Sequence, residues 1–233
     1  MPVPPGMPDV AVRPRDPRAR TVFYLHGFAS SGKSTKAAYL ADRLKAHGIA
    51  LECPDFNLPD FRSLTMTRML DQLAAGIARS PGGGVTLIGS SLGGTLAILA
   101  ASRLPGLVDR VVLLAPAVMF AREGHQLLPA ERVDEWRRRG ATTFFHYGYN
   151  EDRLLDFAFY EDTVRYDAFE ASVSQPTLIF QGVRDHSVDY RTVELFARTR
   201  PNVTLALLDD DHQLVASLSR IWNDLEGFLE LVE

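Results

Sequence analysis

The chain has 233 residues, 46% of them apolar, enough to fill the core of one domain. Twenty-five basic against 29 acidic side chains leave a formal net charge of −4, and no lysine or arginine cluster interleaves with aromatics, so no nucleic-acid partner is expected. No run of about 18 apolar residues occurs, which argues against a membrane span, and the single cysteine, Cys53, cannot form an internal disulfide, which points to a reducing, cytoplasmic setting.

Residues 1–20 are rich in proline and arginine and read as a tail. The β-branched and aromatic run Thr21–His26 predicts a strand and Gly27–Lys33 a loop. Ser34–His47 predicts a helix, with Ala37, Leu40, Ala41 and Leu44 at helical spacing and Gly48 closing it. The alternation repeats: strand Ile49–Cys53, helix Leu64–Arg79, strand Val85–Gly89, helix Leu92–Arg103 and strand Arg110–Ala115. It resumes with strand Thr177–Gln181, helix Tyr190–Thr199, strand Val203–Leu208 and a final helix Leu218–Val232. Six short apolar strands alternating with amphipathic helices predict an α/β fold with a mostly parallel core sheet covered on both faces. Ala117–Ser172 breaks the rhythm: it is far longer than one crossover and holds about half of the chain's aromatic residues. It is expected to be an insertion with its own helices inside a single domain spanning 21–233. Its aromatics would either cap a substrate pocket or form a small core of their own.

Gly89-Ser90-Ser91-Leu92-Gly93 matches G-x-S-x-G, placed where the strand Val85-Thr86-Leu87-Ile88 passes straight into a helix. A turn that sharp strains the serine backbone and requires neighbours without Cβ atoms, and it lifts the hydroxyl clear of the sheet. Ser91 is therefore the candidate nucleophile. Leu92 opens the helix, so its N–H, backed by the helix dipole, can hold a developing oxyanion. A serine hydroxyl needs a base, and the base needs an acid to hold its tautomer. In folds of this kind they follow in the order Ser, Asp or Glu, His, each after a strand. Asp185, after Thr177–Gln181, and His212, after Val203–Leu208, satisfy that order. Asp209, Asp210 and Asp211 are rival acids, disfavoured because a residue beside the base rarely reaches its far ring nitrogen. His47 is expected to cap a helix end, and His26 to hydrogen-bond within its own loop.

The second oxyanion donor is expected in the loop after the first strand, His26-Gly27-Phe28, as the N–H of Phe28. The same loop, Gly27-Phe28-Ala29-Ser30-Ser31-Gly32-Lys33-Ser34, satisfies G-x-x-x-x-G-K-[ST], the pattern of a phosphate-binding loop. A nucleotide-binding protein is thus an alternative, although no acid ends a neighbouring strand to hold a magnesium ion. A catalytically silent protein of hydrolase fold that binds a ligand is another.

With His26-Gly27-Phe28, Gly89-Ser90-Ser91-Leu92-Gly93-Gly94, Asp185 and His212 in this order, the chain resembles the α/β-hydrolase superfamily from about residue 20 onward. The His-Gly-Phe loop running into Ser30-Ser31 and Ser34-x-Lys36, together with the Gly-Ser-Ser-Leu-Gly-Gly elbow, is similar to the small YqiA-type esterases. That resemblance implies cleavage of a small carboxylic ester or thioester through an acyl-enzyme, without metal or cofactor. The longer insertion after Ala117 departs from that branch and leaves the acyl preference open, and the oligomeric state is open too.

Overall fold

The computed structural model describes residues 20–80, 83–122, 124–125 and 127–231. The tail expected over 1–20 lies outside the described residues except for Arg20, which opens the first strand rather than closing a tail. The elements run β1 (Arg20–Leu25), α1 (Thr35–Ala46), β2 (Leu51–Glu52), α2 (Met66–Arg79), β3 (Gly84–Ser90), α3 (Leu92–Arg103) and β4 (Val108–Leu114). After the insertion come β7 (Thr177–Gly182), α6 (Tyr190–Arg198), β8 (Val203–Leu208) and α7 (Leu218–Phe228). The insertion contributes α4 (Ala130–Arg139), β5 (Ala141–His146), β6 (Glu151–Asp156) and α5 (Ala158–Thr163).

The main sheet has six strands in the order β2-β1-β3-β4-β7-β8, every pairing parallel. From β1 the chain steps outward to β2, then crosses back to place β3 on the other side of β1. Loops leaving β1 and β3 therefore diverge and open a crevice at their C-terminal ends. Side chains alternate as the pleat demands. Val22, Tyr24, Val112 and Leu114 pack with α1 and α7, whereas Phe23, Leu25, Val111 and Leu113 pack with α2, α3 and α6. Because both faces are covered, the inner strands are almost continuously buried.

Most boundaries shift by one or two residues from the sequence reading, and two elements shorten further. β2 is only two residues long, an edge strand that pairs Leu51 with Val22 and Glu52 with Phe23 before Pro54 removes a donor. α7 stops at Phe228, where the chain turns at Glu230 with φ 55° and Leu231 N–H donates back to the Glu226 carbonyl. Arg110 holds Glu230 there at 2.7 Å.

The insertion is not purely helical as expected. β5 and β6 form an antiparallel hairpin, with Ala141 opposite Asp156 and His146 opposite Glu151, around a turn that ends on Asn150 at φ 55°. Gly140 ends α4 in a left-handed conformation. Trp136 is buried, donates from Nε1 to the Leu155 carbonyl at 2.9 Å and meets Phe144 and Phe157 edge-on. Some of the aromatics thus form a core under the hairpin, while others face the cavity described next.

Candidate active site

Ser91 joins β3 to α3 with φ 54° and ψ −116°, a conformation that costs energy for any residue carrying a Cβ. Its N–H donates to the Leu114 carbonyl at 3.0 Å, tying the turn to β4. The surrounding glycines are sterically obligatory. A Cβ on Gly89 would lie 2.3 Å from the Gly93 carbonyl oxygen, one on Gly93 1.9 Å from the Leu25 carbonyl oxygen, and one on Gly94 2.7 Å from Pro116 Cβ. The first turn of α3 therefore presses directly on the ends of β1 and β4.

Across the crevice, His212 Nδ1 donates to Asp185 Oδ2 at 2.7 Å. Asp185 is itself held: Gln181 Nε2 reaches Oδ2 at 2.9 Å, and the N–H groups of Ser187 and Val188 both reach Oδ1 at 2.8 Å. Burial pushes this carboxyl up, but the His212 bond, the Val188 amide and Gln181 outweigh it and hold its pKa below the usual carboxylate value. A Cβ on Gly182 would fall 2.4 Å from the Asp210 carbonyl oxygen, so glycine there is what lets the loops after β7 and β8 converge. The rival carboxylates are otherwise engaged. Asp210 accepts from Asp211 N–H and Ser217 N–H, Asp211 from Gln213 N–H, and Asp209 pairs with Arg184.

Phe28 sits in the loop after β1 and Leu92 at the start of α3. Among the described residues, neither N–H has a hydrogen-bond partner. His26, buried, donates from Nδ1 to the Gly27 carbonyl at 2.9 Å and accepts Phe56 N–H at Nε2 at 3.1 Å. Burial lowers its pKa, so it is neutral; Nδ1 bonds within its own loop as the sequence reading expects, whereas Nε2 ties that loop to the segment after β2. His47 caps α1 and faces Glu226 at 3.1 Å.

Two cavities meet at Ser91. One, of about 710 Å³, has Ser30, Ser31, Lys36, Ser187, His212 and Gln213 among its lining. The other, of about 570 Å³, is lined by Met119, Phe120, Leu127, Leu128 and Phe144 beside Leu92. Phe28 and Tyr147 border both. Sequence reasoning named Lys36 only as part of a motif and did not place it at the site: on an amphipathic helix a lysine reads as solvent-facing, yet this one is buried and donates from Nζ to the Gln213 carbonyl at 2.9 Å. Burial pushes it down to about 8, opposed by the nearby Asp211, Asp185 and Asp210.

Three amides at the C-terminal end of the phosphate-loop pattern and just beyond it are taken up locally. Ser34 N–H is spent on the Ser31 carbonyl, Lys33 N–H on Ser31 Oγ and Ala37 N–H on Ser34 Oγ. Among the described residues, no group of three His, Cys, Asp or Glu side chains is placed to hold a metal ion. Among the same residues, no helix is long and apolar enough to cross a membrane.

The chain has known relatives. The model of the Uncharacterised protein family (UPF0227) matches residues 21–229. The chain belongs to that family. Solved structures similar to this family member include Est1E of Butyrivibrio proteoclasticus with ferulic acid bound, 19% identical, TM-score 0.78, covering 96% of this chain and 92% of that one. The mouse alpha/beta hydrolase domain-containing protein 10 is 20% identical, TM-score 0.74, over 90% and 89% of the two chains. The esterase EaEST of Exiguobacterium antarcticum is 16% identical, TM-score 0.69, over 91% and 92%. These likenesses establish the α/β-hydrolase fold. The biotin biosynthesis bifunctional protein BioHC of Teredinibacter turnerae is 32% identical over 117 residues, 48% of this chain, but the match spans only 20% of that longer protein.

Proposed function

We propose that the protein is a serine hydrolase that cleaves a carboxylic ester or thioester through an acyl-enzyme, with Ser91 as nucleophile, His212 as general base and Asp185 orienting the base. The observation that carries this reading is the 2.7 Å bond from His212 Nδ1 to a carboxylate fixed by three further donors, on the same cavity as a serine at a strained strand-to-helix turn. With Nδ1 committed as a donor, the free Nε2 is the basic nitrogen, the tautomer a general base requires. Ser91 Oγ attacks the acyl carbon while its proton passes to Nε2. The oxyanion is held by the N–H groups of Phe28 and Leu92. The tetrahedral adduct collapses, the acyl–leaving-group bond breaks, and His212 returns the proton to the departing alcohol or thiol. Water, deprotonated by His212, then releases the acid and restores Ser91.

The insertion serves in this reading as a cap. Phe120, Phe144, Leu127 and Leu128 offer an apolar wall for the acyl group, and the cavity beside His212, with Ser30, Ser31 and Gln213 on its lining, receives the leaving group. Est1E, which holds ferulic acid, supports the idea that this fold accommodates an acid of comparable bulk. The nucleotide-binding alternative gains no support, because the Lys33 and Ser34 amides, where the pattern would hold a phosphate, are paired within the loop.

The test is reaction with a fluorophosphonate, mapping of the adduct by mass spectrometry, and turnover of p-nitrophenyl esters from acetate to decanoate. An adduct on Ser91 that disappears in His212→Ala, with ester turnover, is expected. A folded protein with neither adduct nor turnover overturns the reading in favour of a silent binding protein.

A further inference from the structure

The hairpin that sequence reasoning missed does more than wall the acyl cavity: its tip is bonded to the loop that carries Phe28. Gly148 N–H donates to the Ala29 carbonyl at 3.3 Å. His146, whose exposure is 0%, donates from Nε2 to Asn57 Oδ1 at 3.0 Å and accepts Tyr149 N–H at Nδ1 at 3.1 Å. Asn57, equally buried, passes the connection on, donating from Nδ2 to the Ser30 carbonyl at 2.9 Å and to Asp55 Oδ1 at 2.8 Å. The His146 ring is clamped between Tyr149, stacked at 4.0 Å, and Phe61, edge-on at 4.8 Å.

The two residues that follow Phe28 thus have their carbonyls tied to the insertion, one directly and one through Asn57. Ala29 needs that support, because its φ of 50° is unfavourable for a residue with a Cβ and would relax if released. On the other flank His26 holds Gly27. The fit at the tip is tight: a Cβ on Gly148 would lie 3.1 Å from His146 Cε1, from Ser30 C and from Ser31 Cβ.

We infer that His146 is a positioning residue for the oxyanion hole. Acting through Asn57, and with Gly148 beside it, it braces residues 28–30 so that the Phe28 N–H keeps its aim, making the insertion a fixed part of the catalytic machinery. The inference rests on the triad reading above. It separates His146 from an ordinary buried histidine, whose loss would lower stability without selectively weakening transition-state binding.

The experiment compares wild type with His146→Phe, which keeps the ring and loses both bonds, and with His146→Gln, whose amide nitrogen can still donate to Asn57. Gly148→Ala, which pushes on Ser30 and Ser31, completes the set. Ester kinetics and thermal midpoints are read beside inhibition by an alkyl boronic acid. In that inhibitor Ser91 Oγ bonds to boron, and the tetrahedral adduct places a boron-bound oxygen where the oxyanion would lie. His146→Phe is expected to lower kcat about 10- to 100-fold with KM changed less than about threefold, since small misplacements of catalytic groups cost this much. Boronate affinity should fall in proportion, His146→Gln should recover most of the loss, and Gly148→Ala should lie between. If His146→Phe does not fold, the other two variants carry the test. A folded His146→Phe or Gly148→Ala with wild-type kcat, or a loss of kcat with unchanged boronate affinity, overturns the inference. Failure of the triad reading shows separately, as a wild-type protein that forms no Ser91 adduct and turns over no ester.

Discussion

At the end of β3 the chain is held by what three glycines lack, whereas at the ends of β7 and β8 it is held by what Asp185, His212 and Lys36 bond to. Around Ser91, an extra methyl would sit inside van der Waals distance of backbone atoms of β1, α3 or the β4 exit. Around His212, apart from Gly182, the geometry depends on hydrogen bonds and on one buried cation facing three carboxylates. The first arrangement is inseparable from the fold. The second can be dismantled while the fold survives.

The largest effect should therefore come from Gly93→Ala. With the Leu25 carbonyl 1.9 Å from the new Cβ, α3 must leave β1, and urea denaturation should show a loss of about 3 kcal/mol or more, or no folded protein at all. If Gly93→Ala folds with wild-type stability, the steric account of the elbow is wrong. Asp185→Asn should do the reverse: a thermal midpoint near wild type with kcat down about 10³- to 10⁴-fold, because the amide favours the wrong histidine tautomer. Comparable stability losses in the two variants would show that the two regions are held in the same way.

Lys36→Met should act more gently, lowering kcat/KM by about tenfold through a loosened His212 loop. The cation is present below about pH 8 and lost above it. Wild-type rates should therefore decline through that region, and the methionine variant should lack the inflection. The smallest effect concerns pH and stability. Burial holds His26 and His146 below their ordinary pKa of 6.5, so the unfolded chain takes up protons that the folded chain refuses. Their contribution is complete above pH 6.5 and is lost progressively as the pH falls below it. A thermal midpoint lower by a few degrees at pH 5 than at pH 7, with a shallower fall in His146→Gln, is expected; equal midpoints would show that these rings titrate normally.

The same contrast explains what the sequence disclosed. The elbow was legible because sterics demand particular residues at fixed spacing, so Gly89, Ser91, Gly93 and Gly94 are readable between a strand and a helix. Asp185 and His212 were legible through chain order and their places after strands, and the six parallel strands through their apolar runs. Lys36 was not, because burial of a lysine on an amphipathic helix depends on a loop 177 residues away. Nor was the hairpin: β5 has strand-like Thr142, Thr143, Phe144 and Phe145, but β6, from Glu151 to Asp156, is mostly charged and carries no strand signal of its own. The bond between His146 and Asn57 joins residues 89 apart and follows no local pattern.

The strain at Ser91 also has a bearing on folding. The turn is sustained only when β3 is paired with β4, through Ser91 N–H and the Leu114 carbonyl, and when α3 is docked on β1. A nascent or partly denatured chain holds the same serine in relaxed backbone, with His212 elsewhere. If Ser91 is the nucleophile proposed above, reactivity at this one hydroxyl counts native molecules in a population, and its decay in denaturant should track global unfolding of the sheet rather than local fraying.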